Sequence, residues 1–137
     1  MSAKLLDTDT LIELVRGSLT VTNRYLSAIS EETELHLSTI SLFEFKFGME
    51  RSDRHAQQQP AFERLLTTIR VAPFDSDDAD EAARLKSQLT STGQMIRAYD
   101  LLIAGQALAR DWTLVTSNRR EFGRVERLVV EDWRAPA

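Results

Sequence analysis

Apolar residues recur along the chain with two different periods, and the switching between them is the first sign of its fold. Leu5-Leu6 form a short apolar run ended by Asp7, after which Leu11, Ile12, Leu14 and Val15 recur at helical spacing until Gly17. That pattern predicts a strand followed by a helix. Val21, Tyr25, Ala28 and Ile29 share one face of a second helix over about 20–30, and Leu35 to Thr39 alternates as a strand does. The segment from Ser41 to Glu50 fits both periods. Phe43, Phe45 and Phe47 alternate with Glu44 and Lys46, whereas Leu42, Phe45 and Met49 have helical spacing, so periodicity leaves strand and helix open there. Phe62, Leu65, Leu66 and Ile69 give 55–69 a helical face with a break expected near Pro60, and Arg70-Val71-Ala72 reads as a strand stopped by Pro73. A helix opened by Asp75 carries Ala79, Ala82, Leu85 and Leu89 up to Thr92-Gly93, and another opened by Asp100 carries Leu101, Ala104, Ala107 and Leu108. A strand from Thr113 to Thr116, a short helix from Arg119 to Gly123 and a last strand at about 128–131 complete the series. Strands separated by helical runs imply βαβ crossovers, hence an α/β fold with a mostly parallel sheet covered by helices on both faces.

Composition adds bounds to this picture. The 137 residues, 42% hydrophobic and 28% charged, suit one globular domain over 1–137. A net charge of −4 argues against binding DNA or an anionic membrane through bulk charge, but leaves a local nucleic-acid site open. Without cysteine there is no disulfide framework and no thiolate zinc site, which suits a reducing cytoplasm. Charge precedes any apolar stretch at the start, and nowhere do about eighteen apolar residues run together. Neither a signal peptide nor a membrane span is expected, and the mature protein is read as the whole chain.

In an open parallel sheet the ligand site lies at the carboxyl ends of the strands. The polar residues there are mostly acidic: Asp7 and Asp9 after the first strand, Glu44 after the second, Asn118 and Glu121 after the fourth, with Asp100 opening the helix that leads into it. Carboxylates gathered within about 4 Å repel by roughly 4 kcal/mol per pair at an effective dielectric near 20, so a counter-charge is required. Oxygen-only ligands favour a hard divalent cation, Mg²⁺ or Mn²⁺, of the kind that engages substrate phosphates. Metal-assisted phosphodiester hydrolysis is the chemistry that follows.

Four motifs stand in order: Leu5-Leu6-Asp7-Thr8-Asp9-Thr10-Leu11; Ser38-Thr39-Ile40-Ser41 through Glu44 to Gly48; Tyr99-Asp100-Leu101-Leu102-Ile103-Ala104; and Leu114-Val115-Thr116-Ser117-Asn118-Arg119-Arg120-Glu121-Phe122. Together they resemble a PIN-domain ribonuclease of the VapC toxin type, over nearly the whole chain. The resemblance implies a PIN-like three-layer α/β/α sandwich and an endoribonuclease that uses Mg²⁺ or Mn²⁺ to hydrolyse RNA, usually a structured RNA such as tRNA. It further implies inhibition of translation, a homodimer and a cognate VapB-type antitoxin. Asp7, Glu44 and Asp100 match the family's metal-holding acids, and the fourth position falls at Asn118 or Glu121. Asn118 carries no charge, so Glu121 takes the acidic role and Asn118 that of a neutral ligand or water-orienting group. Thr116 would orient ligands from behind them, with Asp9 in support, and Arg97, Arg119 and Arg120 are candidate RNA contacts.

Three positions depart from the family pattern. Arg97, Asp111 and Arg127 stand where glycine is common, so the turns at Asp111 and Arg127 are strained if they need positive φ, and Arg97 stands ready to contact RNA phosphate or pair with a metal ligand. Each acid also has a plainer reading. Asp100 and Asp9 can cap helices, while Glu44 among phenylalanines needs a metal or a buried ion partner. Asp75 to Asp80 fails as a calcium loop, because Ala79 fills a ligand position, and reads as an acidic helix start. His36, His55, Trp112 and Trp133 read as structural, and Arg51, Arg54 and Arg124 as solvated charges unless RNA passes them. An apolar groove near Phe43, Phe47 and Met49 is expected to receive the antitoxin. Two alternatives accompany this reading: a catalytically silent PIN-like module that binds RNA or protein, and a haloacid-dehalogenase-type phosphatase. The second is disfavoured because the nineteen residues after Asn118 contain no lysine.

Overall fold

A computed structural model describes residues 2–135. Strands β1 (Ala3–Leu6), β2 (Glu34–Ser38), β3 (Ile69–Ala72), β4 (Thr113–Val115) and β5 (Val130–Glu131) form one sheet in the order β3-β2-β1-β4-β5, and every pairing is parallel. Helices α1 (Thr8–Val15), α2 (Leu19–Ser30), α3 (Thr39–Glu50), α4 (His55–Leu65), α5 (Ser76–Ser91), α6 (Ala98–Arg110) and α7 (Arg119–Phe122) connect them. Adjacent residues of a strand point to opposite faces, and the central strand shows both. Leu6 joins Leu11, Val21, Leu37, Phe45 and Phe62 in the core beneath α1 to α4, whereas Leu5 joins Leu85, Ile103, Ala107 and Phe122 beneath α5 to α7. Leu114 and Val115 of β4 divide in the same way. A parallel strand buried on both faces needs apolar residues at consecutive positions, which is why Leu5-Leu6 is a doublet. The result is the expected three-layer α/β/α sandwich, with a sheet that is wholly parallel among the described residues.

The ambiguous segment is helical. Ser38 caps α3 by accepting from the Ile40 amide at 3.1 Å, and Ser41, Phe45 and Met49 form the buried face at four-residue spacing. Phe43 and Phe47 point outward, 54% and 61% exposed, so the phenylalanine alternation is not that of a strand. Pro60 lies within α4 and does not break it. The carbonyl left without its donor belongs to the exposed first turn, and Phe62, stacked on Phe45 at 4.6 Å, holds the helix to the core. Helix α6 begins at Ala98 with Arg97 as its N-cap, so Asp100 lies in the first turn rather than opening the helix.

Of the two substituted turns, Asp111 does adopt the left-handed region, at φ 56°, at the end of α6; Arg127 has no positive φ and needs no glycine. A glycine is required inside α6. A Cβ added at Gly105 would stand 2.6 Å from Ala82 Cβ, so the contact between α5 and α6 depends on that bare Cα. His36 stacks on Trp112 with ring centroids 3.9 Å apart, Trp133 is buried, and Asp75 forms a capping box with Asp78, which confirms the structural readings of these residues. Among the described residues no helix is long and apolar enough to cross a membrane.

Candidate active site

The chain leaves β1 for β2 and β3 on one side and returns for β4 and β5 on the other, so the sheet switches direction between β1 and β4. A crevice opens at such a point beyond the carboxyl ends of the strands, where Asp7 and Thr116 stand next to each other. Asp7 donates its amide to the Val115 carbonyl at 3.0 Å and caps α1, accepting from the Thr10 amide at 2.8 Å. The helix-capping role thus falls to Asp7, and Asp9, in the first turn of α1, is exposed. The Thr116 hydroxyl, fully buried, stands beside Asp7, whose ionised form it favours, and accepts from the Asn118 amide at 3.0 Å.

From Asn118 the contacts continue to the other acids. Asn118 caps α7, and its Nδ2 donates to Glu121 Oε2 at 2.7 Å. Glu121 Oε1 accepts from the Arg97 amide at 3.0 Å, and Arg97 donates through Nε and Nη2 to Asp100 Oδ2 at 3.1 and 2.9 Å. Glu44 approaches from α3, where its Oε1 accepts from the Thr8 hydroxyl at 2.6 Å. One chain of polar contacts therefore runs from Asp7 through Thr116, Asn118, Glu121 and Arg97 to Asp100, and Glu44 is tied to the residue after Asp7. Thr8 is a positioning residue that no spacing could reveal, since its partner lies 36 positions away.

Charge in this site is incompletely balanced. Burial pushes the Asp7 carboxyl up to about 6, against the bonds from Thr116 and Thr10 that favour its ionised form. Burial likewise raises Asp100 to about 6; Arg97 opposes the rise and the neighbouring Glu121 carboxylate adds to it. Glu121 is held low by Asn118, the Arg97 amide and the Asp100 carboxyl, which outweigh its desolvation. On α3, the hydroxyl of Ser41, one turn before Glu44, is buried without a partner among the described residues. An all-oxygen donor set with uncompensated negative charge fits a hard divalent cation. Among the described residues, however, no three acids stand as ligands of a single ion. The expected convergence of all four is incomplete, because the Arg97 guanidinium lies against Asp100 and 3.4 Å from Glu121.

The candidate basic residues separate by position. Arg119 and Arg120 are exposed on α7 beside Asn118, whereas Arg51 ends α3, about 10 Å beyond Glu44 at 1.5 Å per residue. Arg54 lies farther along, before α4, and Arg124 bonds the Met95 carbonyl. A cavity of about 320 Å³ is lined by Leu85, Gln88, Arg124 and Arg127, and none of the candidate acids lines it.

A wholly parallel five-stranded sheet between two helical layers, with acids gathered beyond β1, β2 and β4, is the architecture of a PIN domain, and residues 4–128 match the PIN domain family. The chain belongs to that family, among the VapC proteins. It is 31% identical to Ribonuclease VapC2 of Rickettsia felis over 79% of this chain and 81% of that protein. It is 32% identical to the tRNA(fMet)-specific endonuclease VapC of Shigella flexneri over 71% of this chain and 74% of that protein. The fold superposes on a chain of VapBC2 from Rickettsia felis, crystallised with a promoter DNA fragment, with a TM-score of 0.88 and 27% identity over 96% of this chain and 98% of that one. A chain of the DNA-bound VapBC from Salmonella typhimurium gives 0.87 and 28%, over 97% and 99%. The haloacid-dehalogenase alternative is thereby set aside. Nucleases of this family are generally dependent on divalent metal.

Proposed function

We propose that the chain is one PIN domain over 1–137 acting as a VapC-type toxin, an endoribonuclease that hydrolyses phosphodiesters of a structured RNA such as tRNA and so inhibits translation in the cytoplasm. The observation that carries this is the continuous polar chain from Asp7 to Asp100 at the switch point of the sheet, with two of its carboxyls raised by uncompensated burial. Asp7, Asp100, Glu44 and Glu121 are the residues that would hold Mg²⁺ or Mn²⁺, which when bound would supply Lewis-acid stabilisation of the phosphodiester and of an attacking water. Around it, Thr116 favours the ionised form of Asp7, Thr8 fixes Glu44, and Asn118 holds Glu121 through its Nδ2. Asp9, exposed at the mouth, adds negative potential, and Arg97, Arg119 and Arg120 engage RNA phosphates.

The VapBC neighbours also support a VapB-type antitoxin as partner, and a homodimer is the assembly proposed with it. Phe43 and Phe47 form the exposed apolar part of the surface proposed to receive the antitoxin, with Tyr99 edge-on to Phe43 at 5.8 Å; Met49 is buried in the core and drops out of it. Substitutions that place a charge at Phe43 and Phe47 should weaken antitoxin binding, and unchanged affinity would remove this surface from consideration.

The decisive assay is cleavage of total bacterial RNA by antitoxin-free protein with Mg²⁺ or Mn²⁺, beside EDTA and an identically purified Asp7→Asn. Discrete products from the wild type alone, and only with metal, are expected. A folded protein that binds Mn²⁺ and yields none would instead be the silent RNA- or protein-binding module.

A further inference from the structure

Arg97 contributes to the site in two separable ways. Its main-chain N–H donates to Glu121 Oε1 at 3.0 Å, and its guanidinium donates twice to Asp100 Oδ2 and lies 3.4 Å from Glu121 Oε2. Any residue but proline at this position supplies the first contact. Glu121 is secured again by Asn118 Nδ2 at 2.7 Å, so the arginine side chain is not needed to position it. Both guanidinium bonds fall on one oxygen of Asp100, and Nη1 bonds nothing among the described residues. The side chain is 70% exposed, whereas that of Asp100 is 12% exposed. This is a solvent-facing cation placed over a nearly buried acid.

We infer that the Arg97 side chain is a built-in competitor for the divalent ion, its guanidinium filling the position between Asp100 and Glu121 that a shared cation would take. The inference rests on the proposed metal site. A guanidinium and a divalent ion cannot both sit against Asp100 Oδ2 without strong repulsion, so binding the ion requires Arg97 to turn outward into water. An exposed ion pair is weak enough for that exchange, and the ion's apparent affinity is reduced by the fraction of sites that Arg97 occupies. Once displaced, the guanidinium is free for RNA phosphate, so metal and RNA each favour the other's binding.

The test is Mn²⁺ binding to the RNA-free full chain, read from the loss of the free-ion EPR signal, for wild type, Arg97→Gln, Arg97→Lys and Asp100→Asn. Arg97→Gln retains the main-chain donor and is expected to bind Mn²⁺ about tenfold more tightly, about 1.4 kcal/mol. Arg97→Lys, with a charge but no planar fork, should fall between it and wild type. Asp100→Asn should bind more weakly than wild type. Equal affinities for wild type and Arg97→Gln, with Asp100→Asn weaker, would overturn the competitor role and leave the metal site standing. Weaker binding by Arg97→Gln would make Arg97 a positioning residue. Absence of Mn²⁺ binding in every protein would overturn the metal site and this inference together.

Discussion

Helix α6 carries an aspartate–arginine pair at each end, and the two are alike in length and opposite in kind. At its C-terminal end Arg110 donates to Asp78 at 3.1 and 2.9 Å; at its N-terminal end Arg97 donates to Asp100 at the same two distances. Arg110, however, bonds both oxygens of Asp78, reaches the Pro73 carbonyl at 2.8 Å and lies over the Trp112 ring at 5.2 Å. Its side chain is 26% exposed and that of Asp78 fully buried. Arg97 reaches one oxygen of Asp100 and is 70% exposed. The first pair is a structural clamp between α5 and α6. The second leaves carboxylate oxygens and negative charge available, as a site that must accept a cation requires. Bond length alone does not separate a structural ion pair from a functional one; the number of oxygens engaged and the exposure of the cation do.

The largest effect expected is on activity. Asp100→Asn should reduce RNA cleavage roughly 10³-fold, about 4 kcal/mol, with no loss of melting temperature, and a destabilised Asp100→Asn would place this pair with the structural one. Next is the pH dependence of the metal-free protein. Asp7 titrates near 6 in the folded state against 3.8 unfolded, so the folded form holds a proton that the unfolded form releases. The stabilisation this confers is complete below about pH 4 and is lost as pH rises through about 6. Urea titrations across that window should show wild type falling relative to Asp7→Asn by up to about 3 kcal/mol, with Mn²⁺ restoring wild type at pH 7.

Arg110→Ala should cost about 2–3 kcal/mol, because it strands a buried carboxylate; unfolding in urea measures it, and a loss under about 0.5 kcal/mol would deny the clamp. Gly105→Ala should destabilise by about 1–2 kcal/mol, the clash with Ala82 exceeding the helix-propensity gain. It should also lower cleavage by shifting Asp100, and calorimetry beside the RNA assay separates the two effects. The smallest change is expected for Arg97→Gln, within about 0.5 kcal/mol in stability; a larger loss by the same urea assay would show that the exposed pair also supports the fold.

Much of this was legible in the chain itself. The Leu5-Leu6 doublet, the helical spacing after Asp7 and the strand–helix alternation are local patterns, and a parallel sheet buried on both faces follows from them. The four acids could be named because each follows a strand or stands in the first turn of a helix. Their capping roles could not be assigned, since Asp7 and Asp9 differ by a single turn position that only backbone geometry settles. Ser41 to Glu50 was ambiguous because Phe43 and Phe47 are apolar on a solvent-facing side, a choice that reflects the surface and not the core. Pro60 misled because a helix anchored by Phe62 tolerates one missing bond near its exposed start.

The sequence by itself determined the alternation of elements, the acidic character of the strand ends and the absence of any thiol, because these depend only on residue type and near neighbours. The tertiary structure decided what lies against what. Thr8 meets Glu44, Arg97 covers Asp100 while Arg110 clamps Asp78, and Gly105 admits Ala82, all through contacts between residues far apart in the chain or through exposure that local pattern does not encode. A carboxylate's partner and its access to water set its charge and its chemistry, and both are properties of the folded chain alone.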